Sequence, residues 1–142
     1  MSRAAVRADG ELVAEMGAGL LVLVGVASAD DAGDAAHLAD KLVHLRIFPD
    51  EHGRMNLSLL ESGGTLGIVS QFTLLGDARR GRRPSYAAAA RPEDAAPLLE
   101  AVIAAAREAG AQVVAGRFGA TMELELVNTG PATILLDTRP PA

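Results

Sequence analysis

The run Leu20 to Val26 reads Leu-Leu-Val-Leu-Val-Gly-Val, without a polar side chain. A surface strand alternates apolar and polar residues, whereas a strand covered on both faces does not. The run therefore predicts a strand at the centre of a layered fold. It is too short for a membrane span, which needs about 18 apolar residues. It also follows acidic residues instead of the basic stretch that opens a secretory signal. The expectation is a chain with no membrane partner.

Directly after this run the hydrophobic period changes. Leu38, Leu42 and Leu45 fall at i, i+4 and i+7, the spacing of one helical face. Asp30, Asp31 and Asp34 stand at the start of that helix, where its dipole favours negative charge. Pro49 is expected to stop it. A second helix is expected over about Pro92 to Ala109, with Leu98, Val102, Ala105 and Ala109 on one face and Gly110 as its stop. Pro97 fits the interior poorly, so the helix either begins near Ala96 or has irregular first turns.

Further strands follow from shorter signals. Ser2 to Met16 reads as two strands joined at Asp9-Gly10, a common hairpin turn pair. Thr65 to Leu75 reads as one strand. Residues 111–116, 121–127 and 132–137 read as three more. In the middle one, Met122, Leu124 and Leu126 alternate with Thr121, Glu123 and Glu125, which predicts one buried and one wet face. Thr138 to Ala142 is expected to be a loose tail. No repeat or linker divides the 142 residues. The predicted class is α+β, a single domain over residues 1–142, with two helices packed on one side of mixed β-sheets in β/β/α layers.

Composition narrows the chemistry. The chain has no cysteine, which removes disulfides, thiolate nucleophiles and Cys-based zinc sites together. It fits a reducing cytoplasm. The net charge of −5 argues against non-specific nucleic-acid binding, though a local basic patch remains compatible with it. His37 and His44 are seven helical positions apart, roughly 10 Å, too far to ligate one metal. His52 lies in a turn. No metal and no cofactor are expected.

Four stretches remain as candidate sites. Arg79, Arg80, Arg82 and Arg83 form the densest positive cluster. They are either a solvated loop or a phosphate clamp. Ser70, Gln71, Phe72 and Thr73 stand at the end of an apolar strand, where a sheet delivers polar groups to a pocket. Strict alternation would send Gln71 and Thr73 to one face and Ser70 and Phe72 to the other, so all four share a pocket only if the strand ends or bulges there. Gly116 to Met122 ends at the pattern strand just described. Asn128-Thr129-Gly130-Pro131 reads as a turn on composition alone. A Gly-Pro bond also adopts cis at modest cost, and glycine lets a ligand approach the backbone closely. Backbone carbonyls aligned there could hold an ammonium group without a charged side chain.

Together these stretches resemble the D-aminoacyl-tRNA deacylase family. The match is carried by Ser-Gln-Phe-Thr-Leu at Ser70 to Leu74, Gly-Arg-Phe-Gly-Ala-Thr-Met at Gly116 to Met122, and Asn-Thr-Gly-Pro-Ala-Thr at Asn128 to Thr133. Leu45 to Leu59 and Arg80 to Tyr86 add support.

The resemblance implies hydrolysis of the ester joining a D-amino acid to the 3′ end of tRNA. It implies a cytoplasmic homodimer with active sites at the subunit interface. Gly130 and Pro131, joined by a cis bond, would reach into the partner's site as a backbone chirality filter, with Asn128 beside them. Ser70, Gln71 and Phe72 would shape the adenosine and ester pocket, and Met122 would line it. Backbone N–H groups near Phe72 and Thr73 would steady the oxyanion. Thr73 matches a threonine once regarded as the nucleophile, whereas the family's better-supported mechanism uses the 2′-OH of the tRNA's terminal adenosine. The arginine loop would contact tRNA.

The chain departs from the family pattern at Thr129, where an acidic residue is common, and at Ala132, where a valine is common. Relatives begin with a further strand bearing a Gln-Arg pair ahead of the position of Met1. That departure admits an alternative, a tRNA-binding relative impaired in catalysis.

Overall fold

The computed structural model describes residues 1–129 and 132–139. Gly130 and Pro131, the proposed filter pair, lie outside the described residues.

The first hairpin forms as its sequence predicts. Strands β1 (Arg3–Ala8) and β2 (Glu11–Met16) are antiparallel. The turn between them takes positive φ at both Asp9 (51°) and Gly10 (83°). Those are the residue types that tolerate the left-handed region, and this turn has the twist a hairpin needs.

The apolar run becomes β3 (Gly19–Val24). It pairs in parallel with β6 (Thr65–Ser70), which pairs in parallel with β7 (Gln112–Ala115). Parallel neighbours need crossovers, and helices α1 (Ala32–His44) and α3 (Pro92–Glu108) supply them. Leu66 and Ile68 of β6 join Leu42, Val43, Leu99, Val102, Ile103 and Ala106 of the two helices in one buried core. Between α1 and β6 lie a small hairpin, β4 (Phe48–Pro49) with β5 (Met55–Leu57), and the one-turn helix α2 (Leu59–Ser62).

The other face of the parallel sheet carries the antiparallel sheet. Strand β8 (Met122–Val127) lies beside β1, giving the order β2-β1-β8. Val69 of β6 packs on Val6 and Ala14, with Leu21, Val114, Met122 and Leu124 around them. Gly67 makes room here, since a Cβ on it would stand 2.6 Å from the Met16 sulfur. Helices, parallel sheet and antiparallel sheet therefore form the expected β/β/α layers.

Several boundaries differ from the sequence expectation. Helix α1 ends at His44, not at Pro49, because Leu45 is extended and Arg46 turns to donate to the Asn56 carbonyl at 2.9 Å. Helix α3 begins at Pro92 and accepts Pro97 inside it. Pro97 and Glu93, whose carbonyl loses its helical partner, are both exposed, so water can satisfy that carbonyl. Its buried face is Leu99, Val102, Ile103 and Ala106, with Leu98 and Ala105 flanking it. Strand β6 stops at Ser70. In β8, Leu124 is half-buried but Leu126 is exposed, so the wet-and-dry alternation fades toward its end.

Residues 132–137 form no strand. A strand needs an edge to pair with, and none of the described edges receives this segment. Thr138 and Arg139 are not loose, as Arg139 is bonded to the start of α1.

Candidate active site

The three parallel strands end side by side at one edge of the sheet. In open α/β sheets this carboxyl edge is where ligands bind. The Gln71 N–H donates to the Val24 carbonyl at 2.8 Å, which ties the chain leaving β6 to the end of β3. Residues Phe72–Leu75 then coil into a 3-10 turn. That turn resolves the alternation problem, because the four polar and aromatic residues no longer lie on a flat strand. Gly25 faces the turn. A Cβ there would stand 2.5 Å from Leu75 Cδ2 and 3.2 Å from the Gln71 carbonyl oxygen.

The turn presents distinct chemistry. The Gln71 side-chain amide donates to Thr73 Oγ1. Phe72 is 57% exposed, and its ring meets Tyr86 edge-on, with centroids 5.2 Å apart. The first bond of the turn runs from the Leu74 N–H to the Gln71 carbonyl at 3.2 Å. The Phe72 and Thr73 N–H groups precede it and have no backbone acceptor among the described residues. Two donors therefore stand free beside the Thr73 hydroxyl.

The arginine loop leaves directly from this turn. Asp77 and Ser85 close its base with paired backbone bonds of 2.7 and 2.8 Å. Arg79 grips Asp77 through Nε at 2.9 Å and Nη2 at 2.7 Å. Those hydrogen bonds hold the Asp77 carboxyl down to about 2. Arg80, Arg82 and Arg83 are exposed and make no ion pair among the described residues. Three cations are thus free to meet an anion, and one is structural.

Met122 lies at this same end. Its sulfur would stand 2.6 Å from a Cβ on Gly116, just past β7. Asn128 does not join it. The Ser2 N–H donates to the Val127 carbonyl at 2.9 Å, and Thr129 Oγ1 donates to Ser2 Oγ at 3.1 Å. The Met1 ammonium in turn donates to the Gly19 carbonyl at 3.0 Å. Asn128 and Thr129 therefore lie level with the start of β3, whereas Gln71 lies beyond its end. A six-residue strand separates the two levels, roughly 17 Å at the usual rise.

Gly25 and Tyr86 are site residues that the sequence reading passed over. Gly25 carried a signal, because a glycine in a strand run marks close backbone approach. The three histidines are dispersed. His44 pairs with Asp40 and His52 with Glu51, each at 3.6 Å. Among the described residues no group of His, Asp and Glu could hold a metal, and no helix could cross a membrane.

The sequence comparisons point one way. A family model described as D-Tyr-tRNA(Tyr) deacylase matches residues 1–137. A D-aminoacyl-tRNA deacylase of Anaeromyxobacter dehalogenans is 58% identical over 98% of this chain and 93% of its own. That of Thermus aquaticus is 52% identical over 95% and 89%. Among solved structures, one titled c-Myc DNA Unwinding Element Binding Protein superposes with a TM-score of 0.91 at 31% identity, covering 99% of this chain and 95% of its own. A probable eukaryotic D-amino acid tRNA deacylase shares the fold, with a TM-score of 0.73 at 18% identity over 88% and 89%.

Proposed function

The chain belongs to the D-Tyr-tRNA(Tyr) deacylase family, and from that premise we propose how its residues carry the family's reaction. It is a D-aminoacyl-tRNA deacylase. The ester between the amino-acid carbonyl and the ribose oxygen is cleaved, and water adds across it to release the D-amino acid and free tRNA.

The observation that carries the mechanism is the hydrogen bond on Thr73. Its hydroxyl oxygen accepts from the Gln71 amide, a donor that cannot take a proton. A nucleophilic hydroxyl needs a neighbouring base. Among the described residues no His, Asp or Glu side chain is hydrogen-bonded to the Thr73 hydroxyl. Thr73 and Gln71 thus serve as a positioning pair, and the 2′-OH of the terminal adenosine activates the water that attacks the ester carbonyl. The free Phe72 and Thr73 N–H groups receive the oxyanion that forms on the carbonyl. Ser70 and the Phe72 ring border the adenosine, with Met122 beside them. Arg80, Arg82 and Arg83 take tRNA phosphates, and Arg79 shapes their loop.

Chiral selection falls to Gly130 and Pro131, whose carbonyls hold the substrate's ammonium group in a cis arrangement. They act on a partner's pocket. The placement of Asn128 and Thr129 far from Gln71 in the same chain supports a homodimer. A filter of this kind excludes an L side chain and admits glycine, so glycyl-tRNA is a further substrate. The cytoplasm is where such substrates arise.

The test is deacylation of matched D-Tyr-tRNA and L-Tyr-tRNA by wild type, Thr73→Ala and Pro131→Ala. Wild type should release only the D-amino acid. Thr73→Ala should stay within about tenfold of it, since loss of a true acid–base partner costs about a hundredfold or more. Pro131→Ala should lose activity or selectivity while folding normally. Release from neither substrate, with tRNA still bound, would favour the impaired tRNA-binding alternative.

A further inference from the structure

The segment following the Gly130–Pro131 pair is tied by hydrogen bonds to the body of the protein at its far end. Residues 132–137 make no ladder hydrogen bonds among the described residues, and Leu135 is 91% exposed. At its end, Arg139 turns back onto the start of α1. Arg139 Nη2 donates to Asp34 Oδ2 at 2.8 Å and to the Ala29 carbonyl at 2.7 Å. Its Nε lies 3.2 Å from Asp34 Oδ2, 3.3 Å from Oδ1 and 3.7 Å from Asp30 Oδ1.

The receiving acids are set in place by their own sequence neighbours. Asp34 Oδ2 accepts the Asp31 N–H at 3.0 Å as half of a capping box. Asp30 Oδ2 accepts the Ala27 N–H at 2.8 Å. With Arg139 in place the Asp34 side chain is only 15% exposed, so the ion pair is partly withdrawn from water. A planar guanidinium serves two carboxylates and a carbonyl at once, which an ammonium does not do as well. Arg139 also keeps the Asp34 carboxyl well below the usual carboxylate range.

We propose that Arg139 is a positioning residue, whose clasp on Asp34, Asp30 and Ala29 fixes the far end of the filter-bearing segment. The near end is already held by Ser2 and Val127. A backbone filter discriminates only while its carbonyls are held still, so a segment pinned at both ends selects better than one pinned at one end. The inference rests on the filter reading above.

The experiment compares wild type, Arg139→Ala, Arg139→Lys and Asp34→Asn by backbone NMR relaxation and by kinetics on D- and L-Tyr-tRNA. Asp34→Asn keeps an acceptor for the helix cap, and Arg139→Ala leaves the cap untouched. Arg139→Ala should lower the backbone order parameters of residues 132–139 while β3 and β6 stay rigid. Its kcat on the D-substrate should fall, or its D/L ratio should drop, by about tenfold with KM for tRNA unchanged. Arg139→Lys should recover part of the loss. Unchanged order parameters in 132–139 overturn the clasp. Lower order parameters with wild-type kcat and D/L ratio overturn its positioning role. A wild type that fails to discriminate sinks the filter reading instead, and the relaxation profile still decides the clasp.

Discussion

The two halves of this molecule are finished to different degrees. On the helix side, Leu66, Ile68, Val43 and Leu59 are sealed between parallel sheet and helices. On the far side, Leu12, Leu126, Val127, Ile134, Leu135 and Leu136 are exposed, and they belong to the antiparallel sheet and to the segment that leaves it. Covering a side chain of this type stabilises a protein by about 1.5–3 kcal/mol. One half has collected that stabilisation within the chain. The other has apolar residues on offer beside unpaired backbone, the kind of edge that invites a partner. In the proposed dimer, stability resides mainly in the first half and assembly in the second.

Substitutions can break that contrast. The largest effect is expected at Leu66→Ala, which should cost about 3 kcal/mol in urea unfolding. A cost below about 1 kcal/mol would mean the helix-side core is not the stable half. Gly25→Ala probes the join between core and site. Its new methyl would meet Leu75 and the Gln71 carbonyl, and overpacking of this sort costs about 1–3 kcal/mol. Deacylation should suffer more than folding, because the 3-10 turn must move. An active, fully stable variant would show that the turn has more slack than its contacts imply.

Leu135→Asp should leave the fold intact and weaken the proposed dimer by about tenfold, roughly 1.4 kcal/mol, in sedimentation. An unchanged dimer would place the interface elsewhere. The smallest effect concerns Asp77. Its carboxyl should titrate at about 2 by NMR and return toward 3.8 in Arg79→Ala. Because folding lowers this pKa, the pair's contribution is complete above the ordinary carboxylate range and is lost as pH falls through about 2. Wild-type titration near 3.8 would make Arg79 a fourth free cation.

What the sequence disclosed follows from how local each cause is. The Asp9-Gly10 turn, the β3 run and the capping acids of α1 act within a few residues, so pattern alone located them. The end of β6 was hidden because Phe72, Leu74 and Leu75 keep the composition strand-like. The stop depends on Val24 and Gly25, more than forty positions away in sequence. Residues 132–137 have the composition of a strand and lack the edge that would make them one. Arg139 looked like part of a tail because Asp34 is 105 positions distant. The site quartet was legible as a motif, while the 3-10 turn that takes it off the flat strand became visible only in the fold.

The separation of Asn128 from Gln71 also has a genetic meaning. In the proposed two-fold dimer, each site takes its pocket from one copy and its filter from the other. Two alleles, one with a disabled pocket and one with a disabled filter, would then repair each other in mixed dimers. One site of each hybrid inherits both lesions and the other inherits none. With random pairing about a quarter of all sites are whole. A cell carrying both alleles would therefore retain an activity that neither allele supports alone.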